Sequence, residues 1–213
     1  MISDLFPPGV TSCALRVEED SLQRFDALDP QEKSIVDQAV NSRKSAFGDA
    51  RWCAHQALQR LGNVDQPIGR GERGMPLFPG GTVGTLTHTE GLRAAAVARA
   101  ERFRSLGLDV EPAEPLPDRV VDSISRPAER ELLDKLNIPC ADRLLFCAKE
   151  ATYKAWFPLT LRWLGFEDAD IDVRSDGTFI SYLLVRPTPV PLIEGRWRIR
   201  DGFVWAATTI PRR

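Results

Sequence analysis

The chain has no run of 18 uninterrupted apolar residues, no CxxC pair, only two histidines and almost no surplus of charge of either sign. Without a long apolar run, a helix that crosses a membrane is not expected. The 28 basic and 30 acidic residues leave a net charge of −2, so the broad positive field of a nonspecific nucleic-acid binder is missing and any anion site has to be local. Cys13, Cys53, Cys140 and Cys147 are scattered, which argues against a zinc knuckle and a disulfide framework and suits a reducing cytoplasm. The first ten residues carry neither a basic start nor a long apolar stretch, so an unsecreted, cytoplasmic protein is expected. What is present is 213 residues with 43% hydrophobic content, enough to bury a core as one domain or two small lobes.

Cys13, Leu15 and Val17 alternate with small or polar residues and predict a half-buried strand. Asp29, Pro30 and Glu32 supply an N-cap, a first-turn proline and a capping-box acid for a helix with Ile35, Val36, Ala39 and Val40 among its apolar positions. Gly48 marks a break or bend. A second helical pattern through Ala50, Ala54, Leu58 and Leu61 stops at Gly62. Residues 69–84 are too rich in glycine and proline for regular structure and suit a backbone that approaches a ligand closely. Strands are predicted over 82–88, 92–100 and 105–111. A helix then starts near Pro127, a stronger one covers 142–156, and strands follow at 179–185 and 197–199. Asp201-Gly202 reads as a two-residue hairpin turn into a strand over 203–210. The fold class expected is α+β with mostly antiparallel sheets.

The chemistry gathers in three segments. In the strand Leu106-Gly107-Leu108-Asp109-Val110-Glu111, alternation sends Leu106, Leu108 and Val110 to one face and both acids to the other. Two such carboxylates, roughly 6.5–7 Å apart at Cα, suit a single hard cation and equally suit a solvated strand end. In the helix, Leu144, Ala148, Ala151 and Ala155 form a buried stripe, and Glu150 and Lys154 share a face at i and i+4. The small alanines allow close approach of a neighbouring element; the Glu–Lys pair by itself is also an ordinary surface ornament. His88 ends a strand that follows the glycine-rich loop, which favours phosphate contact. Arg43, Arg51, Arg70 and Arg73 are candidate bidentate phosphate ligands.

Taken together and in this order, Gly84-Thr85-Leu86-Thr87-His88, Gly107-Leu108-Asp109-Val110-Glu111-Pro112 and Phe146-Cys147-Ala148-Lys149-Glu150-Ala151-Thr152-Tyr153-Lys154-Ala155-Trp156 resemble the larger bacterial 4′-phosphopantetheinyl transferases of the surfactin-synthetase type. The continuation Phe157-Pro158-Leu159-Thr160 and Trp163-Leu164-Gly165-Phe166-Glu167-Asp168 is similar to the actinobacterial branch. The resemblance spans roughly residues 39–170. It implies a pseudo-dimer of two similar α/β lobes, here 1–104 and 105–213, with coenzyme A in the cleft between them. The first lobe would bind the coenzyme A phosphates, and the second would bind metal and carry catalysis. By the resemblance, Asp109, Glu111 and Glu150 hold magnesium, with manganese as a substitute. Arg43, Arg51, Arg70, Arg73, Thr87, His88 and Lys154 are implied to contact coenzyme A.

The implied reaction moves phosphopantetheine from coenzyme A to a serine of an acyl or peptidyl carrier protein. The serine attacks the β-phosphorus, and Glu150, Lys154 and His88 are the implied catalytic residues. Glu150, Asp109 and a metal-bound water all remain candidates for the base. Carrier proteins are acidic near their serine, so a basic or apolar docking face drawn from Arg143, Lys149, Arg162 and Trp163 is expected. A monomer is expected, because two lobes in one chain supply what smaller relatives build between subunits. A metal-dependent hydrolase of nucleotide pyrophosphates and a noncatalytic coenzyme A sensor are the competing readings.

Overall fold

The computed structural model describes residues 2–63 and 66–212. Its chain divides into two units, Met1–Leu106 with Pro211–Arg213, and Gly107–Ile210.

In the first unit the strand β1 (Val10–Arg16) leads into the short helices α1 (Gln23–Asp26) and α2 (Pro30–Ser34), and then into α3 (Asn41–Arg60). A small hairpin of β2 (Gly69–Arg70) and β3 (Pro76–Leu77) precedes β4 (Thr82–Thr89) and β5 (Leu92–Arg99). The main sheet has the order β1-β5-β4 and is antiparallel throughout. Cys53, Ala54, Ala57 and Leu58 of α3 pack on Cys13, Ala95 and Val97 of the sheet, so small side chains set a close helix-to-sheet approach.

Two local expectations change here. Asp29 does cap α2, its side chain accepting from Gln31 N at 2.8 Å, but the helix ends at Ser34 and Val40 stands 70% exposed as the N-cap of α3. Glu32 is not a capping-box acid; it is buried and turned to His55. Nor does Gly48 break α3. A Cβ there would lie 2.5 Å from Phe25 N, so the missing side chain is what lets α1 lie against α3. Gly62, at φ +80°, ends the helix in the left-handed conformation.

β6 (Phe103–Pro112) enters the second unit at Gly107 and is followed by α4 (Val120–Ile124), α5 (Pro127–Lys135) and α6 (Ala141–Thr160). The strands β7 (Ala169–Val173), β8 (Thr178–Leu183), β9 (Leu192–Arg200) and β10 (Phe203–Pro211) complete a five-stranded sheet of order β6-β10-β9-β8-β7. Asp201 (φ 55°) and Gly202 (φ 81°) form the tight β9–β10 turn, both in the left-handed region that such a hairpin requires. The core gathers Leu144, Leu145, Ala148, Ala151 and Trp156 of α6 against Ile171, Phe179, Ile193 and Val204 of the sheet. α6 runs through Pro158, which lies in its last turns and removes only one backbone hydrogen bond there. Each unit thus carries a helix of 20 residues on an antiparallel sheet, in agreement with the α+β class.

Candidate active site

Close contact between β6 and α6 builds the candidate site of the second unit. A Cβ on Gly107 would fall 1.9 Å from Ala151 O and 2.5 Å from Thr208 Oγ1, so only glycine lets the strand lie this near the helix backbone. Two residues on, Asp109 meets the helix: Lys154 Nζ donates to Asp109 Oδ1 at 2.6 Å and to Leu108 O at 3.1 Å. Asp109 is nearly buried, with Leu106, Leu108 and Val110 fully buried around it. Glu111, further along the strand, accepts from Arg143 Nη1 at 3.2 Å, and the same guanidinium is fixed by the carbonyls of Glu114 and Pro115, each at 3.0 Å. Arg143 is therefore a partner of the acidic group.

Electrostatics joins the three acids. Burial, then the charge of Asp109, raises the Glu111 carboxyl above its ordinary value, against the opposing pull of Arg143 and Lys154. Burial and Asp109 likewise raise Glu150, with Lys154 opposing and Glu111 adding to the rise. Among the described residues, no three His, Cys, Asp or Glu side chains converge as a ready metal cage. Asp109 is turned to Lys154 and Glu111 to Arg143. The donor type nonetheless suits a hard cation: burial and the neighbouring carboxylates raise Glu111 and Glu150, and oxygen is the ligand type that magnesium takes.

Glu150 also lines a pocket of about 70 Å³ walled by Tyr153, Trp163, Leu164 and Phe166. The Tyr153 and Trp163 rings lie 5.1 Å apart between centroids, and Trp163 remains 60% exposed. Lys149 forms part of this wall from behind. It is 4% exposed, so the docking role expected for it does not hold. Its Nζ pairs with Glu129 Oε2 at 2.8 Å and donates to Phe166 O at 2.5 Å and Ala169 O at 3.1 Å. Glu129 in turn accepts from Arg126 N and Ile171 N, both at 2.7 Å. Burial lowers Lys149 below its ordinary value, while the hydrogen bond and charge of Glu129 oppose that fall. Every acceptor of this buried pair is occupied, which is the condition under which such a pair is tolerated.

In the first unit, Arg43 near the start of α3 and His88 near the end of β4 stand together, Arg43 Nη1 lying 3.2 Å from His88 Nε2, and both are exposed. Arg70 and Arg73 sit on the β2–β3 hairpin, also exposed, with Arg70 Nη1 3.4 Å from Ile35 O and Arg73 at φ 50°. Arg51 is different. It is 3% exposed, donates to Ile68 O at 2.7 Å and Gly69 O at 3.3 Å, and stacks 4.8 Å from the Phe47 ring. Burial lowers it to about 10, opposed by Glu32. Its guanidinium is engaged with the chain itself and braces the hairpin. Thr87 is 3% exposed and, by strand alternation, projects from the face opposite His88.

Sequence reasoning missed Glu129, because a pairing partner 20 residues from Lys149 leaves no local signal. Tyr153 and Phe166 lay within the recognised segments, but nothing in their spacing marked them as pocket walls.

The family model of the 4′-phosphopantetheinyl transferase N-terminal domain matches residues 31–98, and that of the 4′-phosphopantetheinyl transferase superfamily matches residues 105–208. The chain is 47% identical to the 4′-phosphopantetheinyl transferase Npt of Nocardia iowensis, over 97% of this chain and 98% of that protein. It is 44% identical to the 4′-phosphopantetheinyl transferase PptT of Mycobacterium tuberculosis, over 85% of each. With the 4′-phosphopantetheinyl transferase Svp of Streptomyces mobaraensis it shares 44% identity over 99% of this chain and 89% of the relative. Two family models in tandem and relatives matched almost end to end make this chain a member of the 4′-phosphopantetheinyl transferase superfamily.

Proposed function

We propose that this chain transfers the 4′-phosphopantetheine group of coenzyme A to a serine of apo acyl and peptidyl carrier proteins, releasing adenosine 3′,5′-bisphosphate. The observation that carries the reading is the Lys154–Asp109 contact at 2.6 Å beside Glu150 and its aromatic pocket, in a chain of this family. In the reaction the serine Oγ forms a bond to the β-phosphorus, on the pantetheine side of the pyrophosphate, and the bond from that phosphorus to the departing bisphosphate breaks. Glu150 accepts the serine proton. Lys154 neutralises the charge that gathers on the leaving group, a role suited to an ammonium held in place by a carboxylate and a carbonyl. The small pocket beside Glu150 takes one part of the pantetheine arm against Tyr153, Trp163 and Phe166.

Asp109, Glu111 and Glu150 are the residues that would hold magnesium, or manganese in its place. A cation there supplies charge neutralisation at the pyrophosphate and orients it. In residues 1–104, Arg43 and His88 bind coenzyme A phosphate as a pair, and Arg70 and Arg73 close on the nucleotide from their hairpin. Arg51 acts only through the Ile68 and Gly69 carbonyls it holds, and Thr87 supports His88 from the other face of β4. Residues 105–213 carry the chemistry. The enzyme works as a cytoplasmic monomer with neither nucleic acid nor membrane as partner; no helix among the described residues is long and apolar enough to cross a bilayer.

The test is intact-mass spectrometry of an apo carrier protein incubated with this chain, coenzyme A and magnesium, beside an EDTA control. A gain of one phosphopantetheine that appears only with metal is expected. Coenzyme A cleavage without carrier labelling would instead identify a hydrolase, and coenzyme A binding with neither outcome would identify a sensor.

A further inference from the structure

Two of the four cysteines, both in the first unit, are placed against each other. Thr11 Oγ1 donates to Ala57 O at 2.8 Å, which fixes the register of β1 on α3. From Thr11, Cys13 is the next residue on the same strand face, about 7 Å along at 3.4 Å per residue. From Ala57, Cys53 is one helical turn back, about 6 Å along at 1.5 Å per residue. The two steps match, and Cys13 and Cys53 fall in one buried cluster with Ala54, Ala57, Ala95 and Val97. Cys53 Sγ leans 3.7 Å from Arg93 O on β5, the strand whose Ala95 is paired with Cys13. All four cysteines are free thiols.

We infer that Cys13 and Cys53 are a reversible dithiol–disulfide site, closed by a peroxide and reopened by a thiol reductant, that pins β1 to α3. The environment separates the two sulfurs into roles. The neighbouring Cys53 and the Arg60 guanidinium, anchored on Ser12 O at 2.5 Å, favour the Cys13 thiolate against burial and lower Cys13 to about 7. Cys13 beside it and burial raise Cys53 above its ordinary value, so it stays a thiol, its S–H directed to Arg93 O. A thiolate in an electropositive setting is the nucleophile of such chemistry. The Cys13 thiolate attacks one peroxide oxygen; the O–O bond breaks, the second oxygen leaves as hydroxide and takes a proton, and Cys13 becomes a sulfenic acid. Cys53 sulfur then attacks Cys13 sulfur, the S–S bond forms, and the sulfenic oxygen leaves as water with the Cys53 proton. Peroxide is reduced to two waters while two thiols are oxidised to one disulfide.

The full-length Cys140→Ser variant, which removes the most accessible thiol, is treated with hydrogen peroxide, alkylated and digested. The expected product is a loss of two hydrogen atoms in the intact mass, a single cross-linked pair of peptides containing Cys13 and Cys53, and full recovery with dithiothreitol. Oxidation should quicken as the pH rises through about 7. Further replacement of Cys53 by Ser should leave Cys13 to accumulate oxygen with no internal cross-link, and the doubly reduced parent protein, checked by circular dichroism, serves as the folded control. If both thiols alkylate quantitatively only after denaturation and peroxide leaves their masses unchanged in the folded protein, or if the cross-link joins Cys147 instead, the site is overturned. Carrier labelling by the reduced protein is measured in parallel, so the outcome does not depend on the transferase reading.

Discussion

In the first unit, Arg43 and His88 stand exposed at 3.2 Å, whereas in the second unit Lys154 and a nearly buried Asp109 meet at 2.6 Å beside two further acids. The difference is one of dielectric and of freedom. Exposed cations are screened by salt and keep their reach, so they suit capture of a mobile polyanion. Buried charges interact more strongly and cannot reorganise, so they suit a step in which charge develops at a fixed place. The same contrast separates the arginines: Arg43 is offered to solvent, while Arg51, eight residues later on the same helix, is closed in by carbonyls and a ring.

Five substitutions, one of them made only in a pair, break or sharpen that comparison. Glu150→Gln removes a proton acceptor from the buried group and should lower kcat for carrier labelling by about 10²–10⁴-fold, with coenzyme A affinity by calorimetry changed far less; equal losses in both would erase the division between binding and chemistry. Lys149→Met leaves Glu129 as a buried, uncompensated charge and should cost about 3–5 kcal/mol in urea unfolding. The paired Lys149→Met, Glu129→Leu change should regain most of that stability, and a single variant as stable as the parent would show the pair to be idle. Gly107→Ala forces a Cβ into Ala151 O and should cost about 1–3 kcal/mol or more while displacing Asp109 from Lys154; thermal melts and kcat read both effects. Arg43→Ala removes one exposed phosphate contact and should raise KM for coenzyme A by about tenfold to a hundredfold, from about 1.5–3 kcal/mol for a charged hydrogen bond, with kcat nearly unchanged and a weaker salt dependence. A fall in kcat with constant KM would move Arg43 into the chemistry.

Much of the secondary structure was legible because it rests on local repeats. Alternation marked the strands that became β4, β5 and β6, the alanine stripe marked α6, and Asp201-Gly202 marked its hairpin. The strand β7 was missed: five residues with two aspartates have little strand preference of their own, and Ala169, Ile171 and Val173 become a strand because they fit the sheet core. Helix α2 was read as too long because Ile35, Val36, Ala39 and Val40 continue an apolar pattern, although Val40 finishes in solvent as the cap of α3. Gly48, read as a breaker, is a contact surface for Phe25, a role that appears only when the second helix is present.

The sequence by itself determined which face of its element each candidate residue occupies, since the strand period that turns Asp109 and Glu111 to one side and the helix period that aligns Glu150 with Lys154 follow from covalent geometry. Only the tertiary structure decided who meets whom. Lys154 takes Asp109, Arg143 takes Glu111, Lys149 takes Glu129, and Arg51 turns away from solvent toward Ile68 and Gly69. Those choices join residues between 17 and 45 positions apart, and ion pairs and hydrogen bonds act over a few ångströms, so no local pattern records them until the chain is folded.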